Sequence, residues 1–206
     1  MSGAFPISSA KFGTLGIRSN QTTIISKSDS GKRLVRQIDN QRWGFSVQII
    51  TAKRSDVYGD LMAFIVKQRG GKENFTIIPP EIEDARGNET GTVLVNGVHA
   101  VGDTTIAMDA FGADGAGRFL QGDYLKFASH TKIYMVVADV TSSSNAATVT
   151  IEPPLITALA NDSVVVYDNV PFTVYLTNDM QEFGVNGADK DGNLYYEYQF
   201  DVEEAL

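Results

Sequence analysis

Two stretches of this chain, Thr76-Ile77-Ile78-Pro79-Pro80-Glu81-Ile82 and Thr150-Ile151-Glu152-Pro153-Pro154-Leu155-Ile156, repeat one shape, a β-rich run that ends on a Pro-Pro pair. Proline gives no N–H to a strand ladder and fixes its own φ, so each pair stops a strand and sends the chain out as a stiff extended connector. The two copies bracket a block with its own strand and turn spacing. Paired exits of this kind read as an insertion, one small domain set into another.

With 206 residues, 43% of them hydrophobic, the chain is long enough to bury a proper core as one large domain or two small ones. No apolar run approaches the roughly 18 residues of a membrane span, and the start, Met1-Ser2-Gly3-Ala4-Phe5-Pro6, lacks the basic and apolar regions of a signal peptide. Synthesis inside the cell and no membrane partner are the expectations. The absence of cysteine excludes disulfides, Cys-ligated zinc, iron–sulfur clusters and thiol catalysis.

The net charge of −8 conceals an asymmetry. Residues 1–72 hold 12 of the 17 Lys and Arg and 4 of the 25 Asp and Glu, which makes that part +8 and the remainder −16. The two halves can attract each other within one fold, or meet across subunits in a head-to-tail ring. The basic cluster Lys32, Arg33, Arg36 and Arg42 has no nucleic-acid-binding motif around it, so no nucleic-acid partner is expected.

Along the chain, the first 40 residues are polar and turn-rich, with short apolar runs at Leu15-Gly16-Ile17 and Thr22-Thr23-Ile24-Ile25 and the turn cluster Ser28-Asp29-Ser30-Gly31; one or two edge strands and a flexible loop are expected. Trp43, Phe45, Val47 and Ile49 then alternate with polar or small residues, which predicts a half-buried strand. Val57, Leu61, Phe64 and Ile65 recur at helical spacing behind a candidate cap, Ser55, and Gly70-Gly71 closes a predicted helix over 55–69. A strand from Asn74 to Ile78 leads to the first Pro-Pro. Between residues 84 and 163 come five or six short strands separated by turns, at Thr92–Val95, Thr104–Met108, Tyr124–Phe127, Lys132–Val137 and Ala147–Ile151, the pattern of a small barrel or sandwich. Longer alternation returns at Phe172, Val174 and Leu176 and again at Tyr196, Tyr198, Phe200 and Val202. These predict a long hairpin closing the first sheet, with a long, acidic, mobile connection from Asp179 to Asn193.

Candidate chemistry is sparse. The only histidines, His99 and His130, lie near turns in the central block and have neither a serine elbow nor metal spacing beside them, so structural roles are expected. The loop acids Asp103, Asp109, Asp114 and Asp123, and the run Asp189-Lys190-Asp191-Gly192-Asn193, lack the alternating carboxylates and distal glutamate of a calcium loop and read as solvated turns. Gly112-Ala113-Asp114-Gly115-Ala116-Gly117 lacks the Lys-Ser/Thr of a phosphate-binding loop. Trp43 and the aromatic strand Tyr195–Phe200 could stack sugars, but their period of two assigns them to core packing. No catalytic residue, metal ligand or cofactor site is assigned.

At Gln41-Arg42-Trp43-Gly44-Phe45, at Ala63-Phe64-Ile65-Val66-Lys67-Gln68-Arg69-Gly70, at Phe119-Leu120-Gln121-Gly122-Asp123-Tyr124-Leu125-Lys126-Phe127 and at Thr150-Ile151-Glu152-Pro153-Pro154-Leu155, the chain resembles structural proteins of tailed-bacteriophage tails, nearest to the distal tail or baseplate hub family. The resemblance implies a mainly β fold: a β-sandwich with one α-helix forming a ring domain from residues 1–83 and 164–206, interrupted by a small, outward, barrel-like β domain at 84–163. It further implies a non-enzymatic virion protein made in the host cytoplasm, a homo-oligomeric, hexameric ring at the tail tip that joins the tail tube to the hub or baseplate and docks neighbouring tail proteins. A receptor- or glycan-binding adhesin acting through residues 84–163 is the alternative, although some relatives carry a large carbohydrate-binding domain and the stretch 84–163 is at the small end for that role. A small hydrolase using His99 or His130 with carboxylates is the third, which requires a pocket joining them.

Overall fold

Residues 3–7, 11–38 and 40–206 are described by a computed structural model, and the fold they make is mainly β with one α-helix. Strand β1 (Phe12–Asn20) leads into a hairpin of β2 (Thr23–Lys27) and β3 (Arg33–Gln37), whose turn is the Ser28-Asp29-Ser30-Gly31 cluster. Gly31 takes a φ of +78° there, and its N–H donates to the Ser28 carbonyl at 2.8 Å. The expected edge strands are β1 and β2, and the residues after the turn form a further strand rather than a flexible loop: Ile25 pairs with Val35 and Ile24 with Arg36. Every residue of both strands is exposed.

Strand β4 (Arg42–Lys53) buries Trp43, Phe45, Val47 and Ile49, as the alternation predicts. The chain then makes one π turn over Arg54–Tyr58 before α1 (Gly59–Lys67). Ser55 does not cap this helix; its hydroxyl donates to the Asp56 carboxylate at 2.9 Å. Val57 and Tyr58, at the end of this π turn, are both buried in the core. Leu61 and Ile65 are buried behind them and Phe64 is partly so. The helix is closed by Arg69, at a φ of +56°, and by Gly70. Gly71 then passes so close to Leu176 that a Cβ there would stand 2.6 Å from the Leu176 carbonyl oxygen. Strand β5 (Phe75–Ile77) follows, with its outer edge paired to the Gly3–Phe5 segment through Phe5 N to Thr76 O at 2.7 Å.

The central block contains β6 (Leu94–Val95), β7 (Thr105–Asp109), β8 (Gly115–Ala116), β9 (Tyr124–Phe127), β10 (Ile133–Val136), β11 (Thr141–Ser142), β12 (Ala147–Glu152) and β13 (Val165–Val166). Six of them form one antiparallel sheet in the order β13-β9-β10-β12-β7-β6, while β8 and β11 make a small separate ribbon. The two outer strands nearly meet: Val95 N donates to Ser163 O and Val165 N to Val93 O, both at 3.0 Å. The result is a nearly closed, barrel-like sheet around Ile106, Met108, Phe127, Tyr134, Val149 and Ile151, all fully buried.

The second Pro-Pro pair is not an exit. β12 does end at Glu152, but Leu155 N then bonds Asp103 O at 2.9 Å, and Leu155, Leu159 and Val165 are buried in the same core. Proline ends a ladder without choosing where the chain goes next. Here the apolar residues that follow hold it within the barrel-like sheet, and the chain leaves only after Tyr167.

The last three strands are β14 (Phe172–Leu176), β15 (Gly184–Ala188) and β16 (Leu194–Glu204). They complete a sheet in the order β1-β4-β16-β14-β5, with β15 on the other end of β16. β14 and β16 pair antiparallel as expected, and the connection expected to be mobile carries β15. Phe45, Phe172, Val174, Phe200 and Val202 form the apolar face of this sheet, which α1 covers together with Tyr124 and Ile133 of the barrel-like sheet.

Candidate assembly interface

The residues that carry acid–base or ligand chemistry are used to build turns. His99 Nε2 accepts the Ala107 N–H at 3.2 Å, and its Nδ1 is 3.7 Å from Asp103 Oδ2. His130 is buried, with Nδ1 at 3.2 Å from the Tyr134 hydroxyl, and burial lowers its pKa below the usual 6.5. The hydrolase alternative calls for a histidine beside a carboxylate: His99 has Asp103 at 3.7 Å, while His130 contacts the Tyr134 hydroxyl, the Phe127 ring and the Ala158 carbonyl. Asp114 accepts the Ser144 and Asn145 N–H groups, and the buried Asp123 accepts the Leu120 and Arg86 N–H groups and the Arg86 guanidinium. Asp189 accepts from Asp191 N, Asn193 N, Asn193 Nδ2 and, at 2.8 Å, from Lys53 Nζ. The Lys53 bond, then those from Asn193, hold this carboxyl far below the ordinary carboxylate range. Among the described residues no cluster of three or more His, Cys, Asp and Glu side chains is placed to hold a metal ion.

Trp43 lies at the junction of the two sheets. Its Nε1–H donates to the Ile133 carbonyl at 3.0 Å and its ring meets Tyr124 edge-on at 5.1 Å, so no face is open for a sugar. Beside it is a fully buried ion pair, Lys132 to Glu204 at 2.5 Å. Glu204 also accepts Trp43 N at 3.1 Å and Ile133 N at 2.7 Å, while Lys132 donates to Gln41 Oε1 at 2.8 Å. Burial pushes the lysine pKa down and the glutamate pKa up, and their mutual attraction opposes both shifts. Glu204 of β16, Lys132 and Ile133 at the start of β10, and Gln41 and Trp43 at the start of β4 thus fasten the barrel-like sheet onto the first one. The sequence held a signal for this: the alternation that buries Tyr198, Phe200 and Val202 puts Glu204 on the same inward face.

The charge asymmetry is partly satisfied within the chain. Arg18 pairs with Asp201 at 2.9 Å, Arg42 with Glu203 at 3.6 Å and Lys53 with Asp189 at 2.8 Å, each joining the basic first part to the acidic last strands. The β2–β3 hairpin stands apart from these pairs. It exposes Lys27, Lys32, Arg33 and Arg36 beside Ile24, Ile25, Leu34 and Val35, the last four each more than half exposed. A hairpin this apolar with both faces in water is the surface feature that most needs a partner.

The chain leaves the first sheet and returns to it at one place. Val170 N donates to Glu83 O at 2.9 Å, Asn169 N to Asp84 Oδ1 at 2.8 Å and Ala85 N to Tyr167 O at 2.9 Å. The stretch that these bonds close, residues 82–170, matches the family model described as distal tail protein pb9, B domain. No curated protein matches the chain.

Proposed function

We propose that this chain, whose residues 82–170 belong to the B-domain family of a distal tail protein, is a non-catalytic structural component of a bacteriophage tail. In this reading the first sheet and α1 form the domain that builds a ring, and residues 82–170 form a module carried on its outside. Six copies close a ring at the tail tip, between the tail tube and the hub or baseplate, and offer it to neighbouring tail proteins as a docking platform. The family match carries the reading. The exposed β2–β3 hairpin supports the oligomeric part, because a ring needs each subunit to hold out a surface that the next one covers.

The adhesin alternative finds no support in the aromatic residues. Phe111, Phe119, Tyr124, Phe127, Tyr134 and Tyr167, all the rings between residues 82 and 170, are buried, which leaves no stacking platform on that module.

Antibodies against the chain, applied to intact virions and imaged by immunogold labelling, test the reading directly. Label confined to the tail tip is the expected result, and tails that carry none overturn it. Light scattering and negative-stain images of the purified chain address the ring, expected as six-fold particles at about six times the 22.4 kDa chain mass.

A further inference from the structure

The first sheet has two unlike ends. β1 and β4 pair with Asn20 opposite Arg42, so the hairpin springs from the Arg42 end of β4. Tyr195 lies opposite Lys53 and Ala188 opposite Leu194, so β15 sits at the Lys53 end. The twelve residues of β4 separate the two ends by about 40 Å at 3.3 Å per residue. One chain cannot bring them together.

The two ends are complementary in chemistry. The hairpin exposes Ile24, Ile25, Leu34 and Val35 among four basic residues and one aspartate. The opposite end, residues 179–197, exposes Met180, Val185 and Leu194 among five acids and one lysine. Val185 pairs with Tyr196, and Leu194 shares the Tyr196 side of β16 by alternation. A two-stranded ribbon is marginal in water unless another layer covers it. An acidic surface with its own exposed apolar groups supplies that layer and steers the approach.

We propose that the β2–β3 hairpin of one chain docks on the β15 end of a second copy, basic apolar surface against acidic apolar surface. The proposal rests on the ring reading and specifies its contact. Because the joined surfaces differ, the contact is heterologous, and each chain uses both ends at once. Repetition closes a ring when the rotation per step divides a full turn.

The cysteine-free sequence makes the test clean. Two full-length variants, Val35→Cys and Val185→Cys, are mixed and treated with a short bis-maleimide cross-linker, alongside each variant alone, at low and high salt. Both positions are exposed, and coincident unfolding transitions of variants and parent check that folding is untouched. The expected product is a covalent dimer at twice the 22.4 kDa chain mass, formed in the mixture, absent from either variant alone and reduced by salt. Equal yields from the single variants, or none from the mixture, overturn the proposal. Oligomers seen by light scattering without the mixed cross-link remove this contact and leave the ring standing. A chain that is monomeric at every concentration and absent from the tail by immunogold removes both.

Discussion

Taking away either Lys132 or Glu204 leaves a full charge with no water to solvate it. Lys132→Met or Glu204→Leu alone should each cost about 3–5 kcal/mol, whereas the double variant, which removes both charges, should cost clearly less. Chemical denaturation of the four proteins, read as a double-mutant cycle, measures this. His130 gives a dependence on pH. Burial holds its folded pKa below 6.5, so as the pH falls the unfolded chain takes up the proton first. The contribution is fully present above pH 6.5 and is lost as the pH falls from there through the folded value. The unfolding midpoint should therefore fall more steeply between about pH 7 and 5 in the parent than in His130→Gln, and equal slopes would contradict it.

The hairpin and the helix end carry the predictions that belong to elements. Reversing Arg33 and Arg36 to glutamate should abolish the mixed cross-link, and pairing that chain with one carrying Glu182→Lys and Asp191→Lys should restore it. Gly71→Ala drives a methyl group to 2.6 Å from the Leu176 carbonyl and should lower stability by about 1–3 kcal/mol, measured by thermal unfolding. Elements are also where sequence reading was strongest and where it slipped. β4 and β16 were legible because one face is buried and the other is wet, and that difference writes a period of two into the residue order. The hairpin has no buried face, so only its short apolar run at Thr22–Ile25 and its Ser28–Gly31 turn showed in the sequence, and Arg33 to Gln37 carried no period to mark a strand. The helical stretch was legible to within a residue or so of its start, but Ser55 does not cap it, and its first turn is π rather than α. The interlocked Lys132 and Glu204 stayed hidden because neither residue's partner is near it in sequence.

Across the whole molecule, two cores share one junction, and that junction sets how separable they are. In a chain cut from Glu83 to Asn169 and rejoined by a short glycine linker, Glu204 would lose Lys132 and the Ile133 N–H and keep only Trp43 N. Glu204→Leu should then raise the unfolding midpoint of the shortened chain while lowering that of the full one. A change of the same sign in both would mean that the junction does not govern stability. The pairing of Glu83 with Val170 has a longer reach. Because the chain departs and returns through a single doorway, the sheet beneath meets what hangs there only at that doorway and at the junction built on Trp43, Tyr124, Lys132, Ile133 and Glu204. Doubling the length of what hangs there would add only about 0.6 kcal/mol to the entropy of closing it. What hangs there can therefore grow or shrink at little cost to the sheet beneath, provided the residues of the junction stay.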